Sequence, residues 1–151
     1  APFSLAMREI DSAGMYDDAA EAAGKTFVTT ELRGGGTNRA KTNVIARRGL
    51  RNFLAHCGIL NAEPDLAPTR LLYQPDSACF HFAEDAGLLE FCTSPGSLVQ
   101  AGDVLARIWS TNRTDKAPID IGAQREGIVI ARHFPGLVQV GDCIAVLAVE
   151  Q

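Results

Sequence analysis

The sequence predicts an α/β segment followed by a small all-β barrel. Three observations carry this reading. Strand-like and helix-like patterns alternate over residues 1–60. Residues 61–68, Asn-Ala-Glu-Pro-Asp-Leu-Ala-Pro, hold two prolines, two acids and little to bury, the composition of a linker. Over residues 69–151 the chain turns to short strands punctuated by turn residues, and two stretches there repeat.

Composition sets the outer bounds. The 151 residues are 46% hydrophobic and 21% charged, which excludes a disordered, collagenous or coiled-coil chain. Fourteen basic against eighteen acidic residues give a net charge of −4, so nothing draws the chain to a polyphosphate backbone, and nucleic acid is not an expected partner. No apolar run approaches the ~20 residues of a membrane span. Cysteines 57, 79, 92 and 143 include no C-x-x-C pair and lie among apolar neighbours, which reads as buried thiols of a reducing cytoplasm. The opening Ala-Pro-Phe-Ser runs straight into a strand pattern, as in the middle of a longer protein.

In the first segment, residues 2–9 read as an extended run with Phe3, Leu5 and Met7 on one side. Residues 16–23 are Ala-rich, acidic at Asp17 and Asp18 and stopped by Gly24, the pattern of a short helix. Residues 25–31 carry Phe27, Val28, Thr29 and Thr30, the β-branched content of a buried strand. Gly34-Gly35-Gly36 must be a loop. Thr37 or Asn38 then caps a long helix to His56, closed by Gly58. Ala46, Leu50, Phe53, Leu54 and Cys57 give it a packing stripe, interrupted by Gly49 at about 1 kcal/mol. The basic residues Arg39, Lys41, Arg47, Arg48 and Arg51 read as its solvated face. Two strands do not complete a sheet, so the missing ones are expected upstream of this chain. The sheet edge left open predicts self-association or a partner, with a homo-oligomer as one form.

The second segment contains the repeat. Residues 95–108 match residues 135–147 with one gap at Ser97. Pro95 and Pro135, Gly96 and Gly136, Val99 and Val138, Gln100 and Gln139, Gly102 and Gly141, and Asp103 and Asp142 all pair. Gly102 and Gly141 supply turn geometry, the aspartates can bond the turn backbone, and each turn feeds an alternating strand. Two copies are too few for a solenoid and suit two halves of one barrel related by a pseudo-two-fold axis.

This repeat resembles the hammerhead barrel of lipoyl and biotinyl carrier domains. Those domains carry their modified lysine in a hairpin between half-repeats, and Asp115-Lys116 offers a candidate. Residues 109–114 intervene where a tight turn belongs, however, so Lys116 also reads as a plain loop lysine. A carrier or interaction module is the alternative function.

A second resemblance covers nearly the whole chain. Met15-Tyr16, then the run from Gly24-Lys25-Thr26 to Glu31-Leu32, then Gly34-Gly35-Gly36, then Arg48-Gly49-Leu50-Arg51-Asn52-Phe53-Leu54, and then the hammerhead-like barrel look like the C-terminal portion of the succinylglutamate desuccinylase/aspartoacylase family. Within it, the likeness is nearest to the N-acetyl-diaminobutyrate deacetylases of ectoine breakdown. The resemblance implies the C-terminal part of a zinc carboxypeptidase-like α/β domain with the barrel appended. It implies a cytoplasmic enzyme that uses zinc to remove an acyl group from a small N-acyl amino acid.

The family's glutamate at this strand end is its general acid/base, which the resemblance puts at Glu31. A carboxylate there could take a proton from an attacking water and return it to the leaving amine. Read without the resemblance, Glu31 is a loop carboxylate suited to the following helix N-terminus. Gly34 and Gly35 are candidates for a substrate-facing loop, with Arg33 beside them for a substrate carboxylate. The glycine run is neither a P-loop nor a dinucleotide fingerprint, since Arg39 stands where the latter needs its third glycine. The family's zinc ligands, an H-x-x-E and a later histidine, precede its glutamate. Here His56, His81 and His133 all follow Glu31, so the ligands are expected in the missing N-terminal part of the same protein, and this chain alone is expected to be inactive. His81-Phe82-Ala83-Glu84 does spell H-x-x-E, but in the wrong order and in a β-rich stretch.

Overall fold

The computed structural model describes residues 3–6, 14–32 and 34–151. Among these, residues 14–69 form one compact unit, and residues 3–6 with 70–151 form a second.

The first unit holds two helices, α1 (Tyr16–Ala22) and α2 (Ala40–His56). Both end at the glycines that the sequence marks as stops. Gly24 sits at φ +64°, its N–H donates to Glu21 O at 2.8 Å, and the N–H of Lys25 donates to Ala20 O at 2.9 Å. Gly58 sits at φ +70°, its N–H donates to Ala55 O at 3.0 Å, and the N–H of Ile59 donates to Leu54 O at 2.9 Å. Each pair of bonds satisfies the last helical carbonyls, and the left-handed residue between them suits glycine.

Three expectations need correction here. Thr37 and Asn38 do not cap α2. Arg39 is the N-cap, and Thr42 Oγ1 accepts its N–H at 3.1 Å while donating to its carbonyl at 2.8 Å. Thr37 Oγ1 instead donates to Gly34 O at 3.2 Å, closing the glycine turn. Residues 25–32 form no strand: β-branched residues favour a pleat only when a ladder partner is beside them, and no described strand pairs with this segment. Val28 is 67% exposed, and Phe27 is held by Tyr16, ring centroids 5.4 Å apart, edge to face. The stripe on α2 is not a core, since no residue of the helix is fully buried and Leu50 is 59% exposed.

The second unit is β1 (Phe3–Ala6), β2 (Arg70–Tyr73), a 3-10 turn at Ser77–Cys79, then β3 (Phe80–Phe82), β4 (Gly87–Phe91), β5 (Leu98–Val99), β6 (Val104–Trp109), β7 (Ile119–Gly122), β8 (Gly127–Arg132), β9 (Leu137–Val138) and β10 (Cys143–Glu150). One sheet runs β1-β2-β10-β8-β5 with β3 also on β10, and the other runs β7-β6-β4-β9. β1 lies parallel to β2, and the other pairings are antiparallel. Of the extended run expected over residues 2–9, β1 is the described part. Pro2 and residues 7–9 lie outside the described residues.

The repeat closes a pseudo-symmetric barrel. Replacing β4, β6, β7 and β9 by β8, β10, β3 and β5 converts the order β7-β6-β4-β9 into β3-β10-β8-β5. The turns match bond for bond. Asp103 Oδ2 accepts from the N–H of Gln100 and Asp142 Oδ2 from that of Gln139, both at 2.8 Å, with Gly102 and Gly141 at φ +92° and +91°. The β6/β7 ladder slips between Val104 and Ala106, and the β10/β3 ladder slips at the equivalent Cys143 and Ala145. The twelve residues of the main core form six equivalent pairs: Ala83/Ala123, Leu89/Val129, Val99/Val138, Leu105/Ile144, Ala106/Ala145 and Ile108/Leu147. The symmetry is therefore one of packing as well as of turns. Gly87 and Gly127 are equivalent too. A Cβ would meet the carbonyl oxygen of Trp109 at Gly87 and that of Ala148, at 2.9 Å, at Gly127.

β1 and β2 extend one sheet only. Leu72 packs with Ile128 and Ala148, and Phe3 lies against them. Arg70 clamps Glu150 through two bonds of 2.9 and 2.7 Å, raising its own pKa and lowering that of the carboxylate. The cysteines are free thiols, but Cys57 and Cys92 are exposed rather than buried. Cys57 follows the end of α2, whose side chains are not fully buried, and Cys92 follows β4.

Candidate active site

Glu31 stands exposed in the segment without regular structure just ahead of the glycine turn. Gly35 and Gly36 take φ +73° and +62°, a region that residues with a Cβ resist. A Cβ at Gly36 would meet open space, so the backbone angle, not crowding, is what calls for glycine there. Glu31 thus precedes Gly34 and Gly35 closely in the sequence. Arg33, the candidate contact for a substrate carboxylate, lies outside the described residues.

A catalytic zinc takes about three protein ligands. No group of three or more His, Cys, Asp or Glu side chains gathers among the described residues, so these residues do not by themselves fit a zinc site. The H-x-x-E at 81–84 shows why. His81 is 1% exposed and its Nε2 accepts the N–H of Gln124 at 3.0 Å, which leaves Nδ1 to carry the proton. Burial holds the His81 pKa below its ordinary 6.5, against the opposing pull of the Ala145 and Cys79 carbonyls, neither of which closes a well-formed bond to Nδ1. Glu84 is exposed. His133 Nε2 lies 3.9 Å from Asp142 Oδ2 without a hydrogen bond, and His56 is exposed at the end of α2.

Lys116 has a structural partner. Its Nζ lies 3.2 Å from Asp85 Oδ2, and that bond holds the Asp85 carboxyl below its usual range. The pseudo-two-fold maps Asp85 onto Arg125 and Lys116 onto Asp76, and those two also pair, at 2.8 Å. The two halves thus carry the same staple with its charges reversed. Sequence reading missed this second repeat, although Ala83-Glu84-Asp85-Ala86-Gly87 and Ala123-Gln124-Arg125-Glu126-Gly127 share their first and last residues.

Among the described residues no helix is long and apolar enough to cross a membrane. No family model matches the chain. An N-alpha-acetyl-L-2,4-diaminobutyric acid deacetylase from Halomonas elongata is 42% identical over 98% of this chain and 44% of its own length. The product-bound structure of the ectoine utilization protein EutE from Ruegeria pomeroyi is 52% identical with a TM-score of 0.93, over 99% of this chain and 45% of that one. The chain matches a C-terminal part of the succinylglutamate desuccinylase/aspartoacylase family. A succinylglutamate desuccinylase from Silicibacter sp. TM1040 agrees, 50% identical with a TM-score of 0.92, over all of this chain and 46% of its own. The chain therefore spans under half the length of these desuccinylase/aspartoacylase relatives. Its mixed sheets and few helices are those of their C-terminal region.

Proposed function

We propose that this chain is the part of a zinc-dependent amidohydrolase that carries the general acid/base, and that the intact protein removes the acetyl group from N-acetyl-2,4-diaminobutyrate in ectoine breakdown. The observation that carries the reading is the 42% identity along 98% of the chain to a deacetylase of that substrate. Glu31 takes a proton from the water that attacks the amide carbonyl carbon. It returns that proton to the amine nitrogen as the C–N bond breaks, releasing acetate and the free amino acid. Its exposure leaves one face open to substrate and water. Gly34 and Gly35 leave room beside it for the substrate, and Arg33 receives the substrate carboxylate. Zinc belongs to the intact protein, on ligands outside the described residues. The free thiols support a cytoplasmic setting.

The test is turnover by the intact protein of N-acetyl-2,4-diaminobutyrate, N-acetylaspartate and N-succinylglutamate, alongside the 151-residue chain alone with added zinc. The reading expects the intact protein to favour the first substrate and the chain alone to be inactive. Preference for another of the three overturns the substrate, and turnover by the chain alone overturns the division of the site.

A further inference from the structure

The segment after α2 has the composition of a loose tether, yet it is held down. Asn52 accepts the N–H of Asp65 through Oδ1 at 2.9 Å and donates through Nδ2 to the carbonyl of the same residue at 2.7 Å. One side-chain amide so satisfies both backbone groups of one loop residue, as a neighbouring strand would. Arg48, one helical turn earlier on the same face, donates to that carbonyl through Nη2 at 3.2 Å and to the Asp65 carboxylate at 2.8 Å. Asp65 is thus fixed at three atoms by two side chains of α2.

We propose that Arg48, Asn52 and Asp65 form a latch that makes residues 61–65 a rigid strap on α2, with loose chain beginning at Leu66. All of these bonds are solvent-exposed; the Arg48–Asp65 ion pair is also screened by salt, whereas the two Asn52 bonds are made to both backbone groups of Asp65 and are the ones the latch relies on. Arg48 and Asn52 are positioning residues, holding Asp65 through its backbone and carboxylate.

Amide exchange and ¹⁵N relaxation on the full chain test this. In the wild type, residues 61–65 should be as rigid as α2, with fast motion starting at Leu66. Asn52→Ala should speed exchange of the Asp65 amide by about tenfold and loosen residues 61–67 while the β10 amides stay unchanged. Asp65→Ala keeps both Asn52 bonds and should change that exchange by less than about threefold. The proposal fails if wild-type residues 61–65 move like Leu66, if Asn52→Ala leaves the Asp65 amide as protected as before, or if Asp65→Ala has the larger effect. Should Asn52→Ala not fold, the wild-type relaxation profile decides by itself.

Discussion

The two units of this chain use their apolar residues differently. In the barrel, twelve of them close a core from both sheets, as six equivalent pairs. In the first unit, the seventeen residues of α2 bury no side chain completely, and the segment that carries Glu31 has no described ladder partner. Burial is where stability comes from, so the barrel should carry the measurable stability, and Glu31 should carry chemistry with little effect on it.

Core truncation should have the largest effect. Leu105→Ala and its counterpart Ile144→Ala should each cost about 2–5 kcal/mol in denaturant unfolding, because each leaves a cavity in the same layer. A cost much smaller for one than the other would show that the two halves do not share one core. By contrast Leu50→Ala on exposed α2 should cost within about 0.5 kcal/mol.

A pH dependence comes next. The lowered pKa of His81 means that the unfolded chain takes up this proton more readily than the folded one. The stability it contributes is present in full above its ordinary 6.5 and is lost as pH falls through the lowered folded value. Ile121 holds the equivalent place in the other half. His81→Ile should therefore flatten the fall in Tm between neutral and mildly acid pH; an unchanged slope would assign that fall to other groups.

The staples should matter least. Asp85, Lys116, Asp76 and Arg125 are all partly or largely exposed, so each pair contributes at most about 1 kcal/mol. Lys116→Asp alone should destabilise slightly. Adding Asp85→Arg, which copies the polarity of the other half, should restore the loss in a double-mutant cycle.

The contrast between the units also explains what was legible in the sequence. The barrel turns were readable because Gly-Asp occurs twice at matching places, and the requirement for φ near +90° is local to those residues. The helix stops at Gly24 and Gly58 were readable for the same reason. The strand expected at residues 25–31 was not, because strand formation depends on a neighbour that the local pattern cannot supply. The cap of α2 was misread because Thr37 bonds back into the glycine turn and Thr42 takes over its work. The Asp85–Lys116 and Asp76–Arg125 staples escaped because a charge reversal hides a repeat from residue matching. Of the candidate site, Gly34 and Gly35 fall in the bend and turn that the glycine run predicts, with Glu31 just ahead of it in the chain, while their roles rest on the likeness to the deacetylases.

Glu31, ahead of the glycine turn, is the proposed proton carrier, and Glu84, in the H-x-x-E of the barrel, is the comparison carboxylate. Measuring kcat for Glu31→Gln and Glu84→Gln in the intact protein on N-acetyl-2,4-diaminobutyrate separates them. The account predicts a loss of about 10²–10⁴-fold for Glu31→Gln, with an unchanged Tm, and near wild-type turnover for Glu84→Gln. Near wild-type turnover in Glu31→Gln, or a large loss confined to Glu84→Gln, would contradict it.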